Sequence, residues 1–201
     1  MNKKYTYIGG IIVAILILIG GYFIYENERE ELKLVREEQK SSAEIKNLYK
    51  QLSIGNNIED IEKKLGNPLF TESSSDSNGN ATTIYTWGSN ELGEIGSQLV
   101  VNVENNKIVE KSVSGLYVPY DNKKLISSNL FENINIDNNY SIEDSIKQFG
   151  DPNKISEYKN NRAETIQIMT WETNTTGPVG SYCTIIFTNG VATSKNEVGL
   201  I

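Results

Sequence analysis

Gly66-Asn67-Pro68 and Ile84-Tyr85-Thr86-Trp87 are answered, 84 residues later, by Gly150-Asp151-Pro152 and Ile168-Met169-Thr170-Trp171. The same offset carries Ile58-Glu59-Asp60 onto Ile142-Glu143-Asp144 and Lys63 onto Lys147. It carries Leu99, Val101 and Val103 onto Cys183, Ile185 and Phe187, and Asn105, Lys111 and Gly115-Leu116 onto Asn189, Lys195 and Gly199-Leu200. About sixteen identities fall in some sixty aligned positions without a gap, which marks a duplicated module. Both tryptophans keep one register across the two copies.

Each landmark has a local meaning. Asn57 and Ser141 are good N-caps, with Asp60 and Asp144 at the third helical position, near a capping box. Glycine followed two residues later by proline ends each helix. Period-2 alternation then predicts strands at Leu69–Ser73, Thr82–Trp87, Gln98–Glu104 and Lys107–Val113 in the first copy. In the second copy it predicts Lys154–Tyr158, Thr165–Trp171, Tyr182–Thr188 and Val191–Glu197. Asn105-Asn106 and Asn189-Gly190 read as hairpin turns. A preceding helix, Glu44–Leu52 or Leu125–Phe131, is expected to complete each module.

Upstream, Tyr5–Tyr25 contains no charged residue. Its roughly 21 residues would make a helix of about 31 Å, enough for a hydrocarbon core. Lys3 and Lys4 precede it and Glu26, Glu28, Glu30 and Glu31 follow, which by the positive-inside rule places the N-terminus in the cytoplasm. A cleaved signal peptide is the alternative, although no Ala-x-Ala site follows. The Glu-, Lys- and Arg-rich stretch after it reads as a solvated helical stalk, its seam too poor for a coiled coil. The expected division is a tail at 1–4, a transmembrane helix at 5–25, a stalk at 26–43, a first module at 44–117, a linker at 118–124 and a second module at 125–201. The expected fold class is α+β: two tandem repeats, each with helices packed on its own four-stranded antiparallel sheet. The expected location is the cell membrane, single-pass, with the modules extracytoplasmic.

The chain has 201 residues, a formal charge of -7, no histidine and one cysteine, Cys183. That charge, with no Lys/Arg cluster, argues against nucleic acid. The missing histidines remove the usual general base and metal ligand, so no enzyme, cofactor or metal is expected. The acidic pairs Glu59/Asp60 and Glu143/Asp144 could be paired carboxylates, but charge at a helix start explains them. Asp76, Asn78 and Asn80 echo a calcium loop without its bidentate glutamate, and a polar hairpin tip is the simpler reading.

These residues resemble the β-lactamase-inhibitor-protein-like (BLIP-like) fold and the related SmpA/OmlA (BamE-like) family. The resemblance rests on Gly55, Asn57, Glu59, Asp60, Ile61, Leu65, Gly66, Pro68 and Trp87 in copy one, and on Ser141, Glu143, Asp144, Phe149, Gly150, Pro152 and Trp171 in copy two, with Asn189-Gly190 at the turn. Asn139, where copy one has Gly55, and Ser145, where an aliphatic residue is expected, depart from it. That superfamily includes inhibitors, scaffold lipoproteins and Gram-positive surface proteins. The resemblance implies binding of another protein at the extracytoplasmic face, across a sheet formed by both copies; a cell-wall ligand is a second option. Candidate contact residues are the outward strand positions Gln98, Val100, Asn102, Tyr182, Thr184 and Ile186. Trp87 and Trp171 are either anchors on that surface or core residues. The Gly-rich loops Gly88–Gly96 and Glu172–Gly180 are either rims of a site or surface tips. A sensor or accessory subunit of a membrane or cell-envelope complex is the alternative function.

Overall fold

The computed structural model describes residues 29–30, 32–37, 40–75, 81–88 and 96–201. The chain divides into two compact units, Met1–Lys40 and Ser41–Ile201. In the first, the described residues are helical and exposed, with an i,i+4 pair from Lys33 to Glu37 at 3.9 Å. The second unit holds the eight strands found among the described residues.

This unit begins with helix α1, residues 41–51, whose Ile45 and Tyr49, with Leu52 just past its end, recur at helical spacing and are buried. Helix α2 (Ile58–Leu65) follows, then strands β1 (Phe70–Ser75), β2 (Ala81–Gly88), β3 (Gln98–Glu104) and β4 (Lys107–Ser114). After a crossing segment come α3 (Ser128–Glu132), α4 (Ile142–Phe149), β5 (Lys154–Lys159), β6 (Thr165–Trp171), β7 (Tyr182–Thr188) and β8 (Val191–Val198). All eight strands form one antiparallel sheet in chain order.

The expected fold class is therefore corrected. There are not two four-stranded sheets but one sheet of eight strands, and the described helices of the second unit are short. The cause is the pairing of β4 with β5 through Glu110–Tyr158, Lys111–Glu157, Ser112–Ser156 and Val113–Ile155. A unit of about 65 residues would bury only about 60% of its unfolded surface and leave two open edges. Joining the edges removes two of the four and lets Val113 and Ile155 share one core.

The expected membrane segment, Tyr5–Tyr25, lies outside the described residues. Among the described residues no helix is long and apolar enough to cross a membrane. The described helical residues from 29 onward are rich in Glu, Lys and Arg, which the hydrocarbon core rejects. The single-pass topology, the signal anchor and the surface location are withdrawn, because no described element carries them.

What does recur at 84 residues is local geometry. Phe70 pairs with Thr86 as Lys154 pairs with Thr170, and the ladder shifts at Asn102/Val103 as it does at Ile186/Phe187. Backbone bonds tie each helix start to the following hairpin: Ile108 N–H to Asn56 and Ile58 N–H to Asn106, then Ala192 N–H to Tyr140 and Ile142 N–H to Gly190. Trp87 donates its indole N–H to the Gly66 carbonyl at 3.1 Å, and Trp171 donates to Gly150 at 2.9 Å. Each tryptophan thereby caps the end of its own helix.

A lysine does the same for the preceding helix. Lys111 donates to the carbonyls of Tyr49 (3.3 Å) and Leu52 (2.9 Å) at the end of α1. Lys195 donates to Phe131 and Ile134, both at 2.8 Å, after α3. These carbonyls lie at helix ends, where Tyr49 and Phe131 accept tight-turn N–H bonds from Leu52 and Ile134, and a cation suits the negative end of the dipole. Lys111 alone is buried. It pairs with Glu157 across the seam at 3.5 Å and stands 4.1 Å from the Tyr49 ring centre, while the Tyr49 hydroxyl donates to Glu157 at 3.4 Å. Burial pushes the Lys111 pKa down, and the Glu157 charge opposes that shift. Burial first, then Glu157, pushes the Tyr49 phenol up.

The crossing segment is pinned rather than loose. The buried Asn153 side chain donates to the Leu116 carbonyl and the Thr173 hydroxyl, and accepts from the Glu172 and Thr173 N–H groups. Tyr117 N–H bonds the Ser42 hydroxyl at 2.8 Å, and Ile126 N–H bonds the Asn174 carbonyl at 2.7 Å.

Two stability outcomes follow from these contacts. Lys111→Ala removes the counter-charge of Glu157 and the donor to the Leu52 carbonyl, and should cost about 3 kcal/mol in a denaturant melt, as breaking a buried pair does. Ser141→Ala should cost on the order of 1 kcal/mol, since Ser141 accepts from the Asp144 N–H while the Asp144 carboxylate accepts from the Ser141 N–H. Those bonds hold the Asp144 pKa below the ordinary 3.8. A depressed folded pKa stabilises above the unfolded value and loses that contribution as pH falls through the folded one. Melts of the wild type from pH 5 to pH 2 should show this acid loss, and Ser141→Ala should shrink it.

Candidate binding face

Strand alternation sends the core to one face of the sheet. Leu99, Val101 and Val103 are buried on β3, and Cys183, Ile185 and Phe187 on β7, all beneath the helices. Gln98, Val100, Asn102, Tyr182, Thr184 and Ile186 alternate with them and lie half-buried on the opposite face. The buried residues of the described helices cluster with the other face, and the six side chains of this open one are half-buried, whereas Ile166 of the same face is buried.

The pairing of β4 with β5 makes the open face continuous. One cross-strand row runs Phe70, Thr86, Val100, Ser112, Ser156, Ile168, Ile186, Ser194, with a residue from every strand. Seven intervals of about 4.8 Å make it about 34 Å wide. Its middle is Val, Ile, Ser and Thr, with Ile84, Tyr158 and Ile166 in the neighbouring row. Near the seam sits one carboxylate: Glu110 accepts from the Asn102 amide at 2.7 Å and from the Ser156 hydroxyl at 3.2 Å. Thr170 and Thr184 hydroxyls bond each other at 3.0 Å.

Glu110, Ser112, Ser156, Ile166 and Ile168 belong to this surface and were not among the sequence candidates. Their alternation was visible in the sequence; the β4–β5 pairing that brings them into line was not.

Trp87 and Trp171 lie elsewhere. They are 4% and 2% exposed on the helix-covered side, and their N–H groups are committed to Gly66 and Gly150. Phe149 meets Trp171 edge-on with ring centres 5.7 Å apart. As partner anchors they are corrected to core residues, because packing and a helix-end bond use both the ring and its one donor. Of the two Gly-rich loops, residues 89–95 lie outside the described residues, as do Asp76, Asn78 and Asn80 of the calcium-like loop. The second loop is held by bonds from the Thr175 hydroxyl to Ser181 and from the Thr176 hydroxyl to the Ile201 carbonyl.

Among the described residues no group of three or more Cys, Asp or Glu side chains is placed to hold a metal ion. Cys183 is free and buried, and burial pushes its thiol up to about 12.

Residues 33–200 match the sequence profile of DUF3862, a domain of unknown function with a solved structure. The chain belongs to the DUF3862 family. No curated protein matches it in sequence. This DUF3862 chain is similar in fold to a Streptococcus mutans protein, described as a candidate beta-lactamase inhibitor protein, whose crystal structure was solved at 1.40 Å. The two share 16% identity with a TM-score of 0.56, over 76% of this chain and 94% of the other. At that identity the likeness speaks to the fold alone, and it supports the BLIP-like half of the sequence resemblance. It gives no support to the SmpA/OmlA (BamE-like) half, nor to membrane anchoring.

Because the Cys183 thiol is buried and its pKa is high, a thiol reagent at neutral pH should label none of the native DUF3862 chain and one site per chain in guanidinium. Rapid labelling of the native protein would show that β7 is not held as described.

Proposed function

We propose that this DUF3862 protein is a protein-binding module that works through the open face of its eight-stranded sheet and has no catalytic role. The observation that carries the reading is the uninterrupted row from Phe70 to Ser194, wide enough for one side of a standard protein interface. Half-buried Val100, Ile168 and Ile186 give it apolar character, and Thr, Ser and Asn supply hydrogen-bonding groups around them. The neighbour's description as a candidate inhibitor protein fits a fold that presents such a face to another protein. A sheet also suits this task energetically. Its backbone is already ordered by the ladders, so side chains can meet a partner without a large ordering cost. The absence of histidine from the chain and the buried, protonated Cys183 favour binding over nucleophilic chemistry.

Photo-crosslinking side chains placed singly at Val100, Thr184 and Ile186 should capture one and the same protein, and Ile186→Asp should abolish capture from the other two positions. A crosslinker at Glu143, at the start of α4, is the control. Equal capture from Glu143, or none from the sheet positions, would remove the face from consideration.

A further inference from the structure

The seam and the free edges of this sheet are related by the 84-residue offset. β5 corresponds to β1 and β4 to β8, residue for residue, as the matched registers Lys154–Thr170 with Phe70–Thr86 and Tyr182–Val198 with Gln98–Ser114 require. The seam is therefore a worked template for a contact that the chain could make with a second copy. β8 of one copy would add to β1 of the next just as β4 adds to β5. Ser194, Lys195, Asn196 and Glu197 would face Ser74, Ser73, Glu72 and Thr71, in place of Glu110, Lys111, Ser112 and Val113 facing Tyr158, Glu157, Ser156 and Ile155. Such a joint is heterologous, so repetition would give an open-ended polymer.

The backbone of both edges is suited to this joint, but three side chains oppose it. At the seam the core-facing pairs are Val113 with Ile155 and Lys111 with Glu157. At the joint they would be Glu197 with Thr71 and Lys195 with Ser73. Glu197 would bring a carboxylate into the position where Val113 is 2% exposed, and Lys195 would meet no counter-charge. Glu197 is also occupied, accepting from the Leu200 N–H at 3.0 Å. All six residues of β1 are exposed, so nothing else in the described fold covers that edge. We infer that β8 and β1 are mutually complementary edges, and that Thr71, Ser73 and Glu197 keep copies of this chain from joining head to tail through them. An inward-pointing charge on an edge strand is a known protection against such pairing.

The test uses the full chain with two reporter cysteines, Glu72→Cys and Asn196→Cys, at the positions equivalent to Ser156 and Ser112. Opposed antiparallel residues have Cα atoms about 4.5–5.5 Å apart, within disulfide reach. Under mild oxidation the reporter chain should run as a single band on a non-reducing gel. Adding Thr71→Ile, Ser73→Glu and Glu197→Val should give a ladder of linked copies. Ladders of equal strength from both chains would overturn the inference, and so would a folded edge-restored chain that stays a single band. The converse exchange provides a second reading if the edge-restored chain does not fold. Val113→Glu with Ile155→Thr and Glu157→Ser gives the seam the chemistry of the edges. Amide exchange at Glu110–Val113 should then speed up by about tenfold or more, whether or not the rest of the sheet follows. Unchanged seam protection would show that these side chains do not decide strand joining.

Discussion

Four residue pairs between β4 and β5 set the character of this molecule. Without them the two halves would be small four-stranded sheets, each with two unprotected edges and a core at the lower limit of independent stability. With them there is one sheet, one core cluster and one uninterrupted open face. The seam is shorter than the ladders beside it, since β3–β4 and β5–β6 pair over seven and six residues. Its side chains compensate. On the covered side Val113 and Ile155 join the apolar core, and Lys111 with Glu157 and Tyr49 forms a buried polar cluster whose donors and acceptors meet one another. On the open side Glu110 reaches Ser156 across the same junction.

Lys111 illustrates how one residue serves several levels of structure. Its counterpart Lys195 closes the end of α3 but faces no acid from a further half, and it is more exposed. The helix-end role is thus common to both copies, and the ion pair is added where two copies meet. A buried ion pair is weak evidence for net stability, because desolvation offsets much of the attraction. Its clearer consequence is register: a shift of β5 by one residue would turn Glu157 to the open face and leave Lys111 buried without a counter-charge.

The elements themselves were largely legible in the sequence. Asn57 and Ser141 announced their helices, Gly66 and Gly150 their ends, and the alternation in Gln98–Glu104 and Tyr182–Thr188 named the buried side of each strand. What alternation does not carry is the identity of a strand's second neighbour. Nothing in Lys107–Ser114 or Lys154–Lys159 says that they pair, because some forty residues separate them and both could serve as edges. The tryptophans were ambiguous for a similar reason. Tyr85 and Trp87 share a face of β2, as do Ile84 and Thr86, and either set could pack inward. The observation that settles it is the indole bond to Gly66, a contact across 21 residues that no local pattern encodes.

The same reasoning explains why the open face was legible only in part. Gln98, Val100 and Asn102 with Tyr182, Thr184 and Ile186 were legible as two separate stripes, one per copy. The positions between them, on β4, β5 and β6, become a surface only when the seam closes. A partner of standard size would therefore span both halves, and its affinity would depend on the seam as well as on the residues it touches. Substitutions at Lys111 or Ile155, which lie on the opposite side of the sheet, should alter recognition by changing how the two stripes are held relative to each other. That coupling distinguishes one eight-stranded face from two independent sites joined by a tether, since two tethered sites would gain only by effective concentration and would be indifferent to the chemistry of the junction.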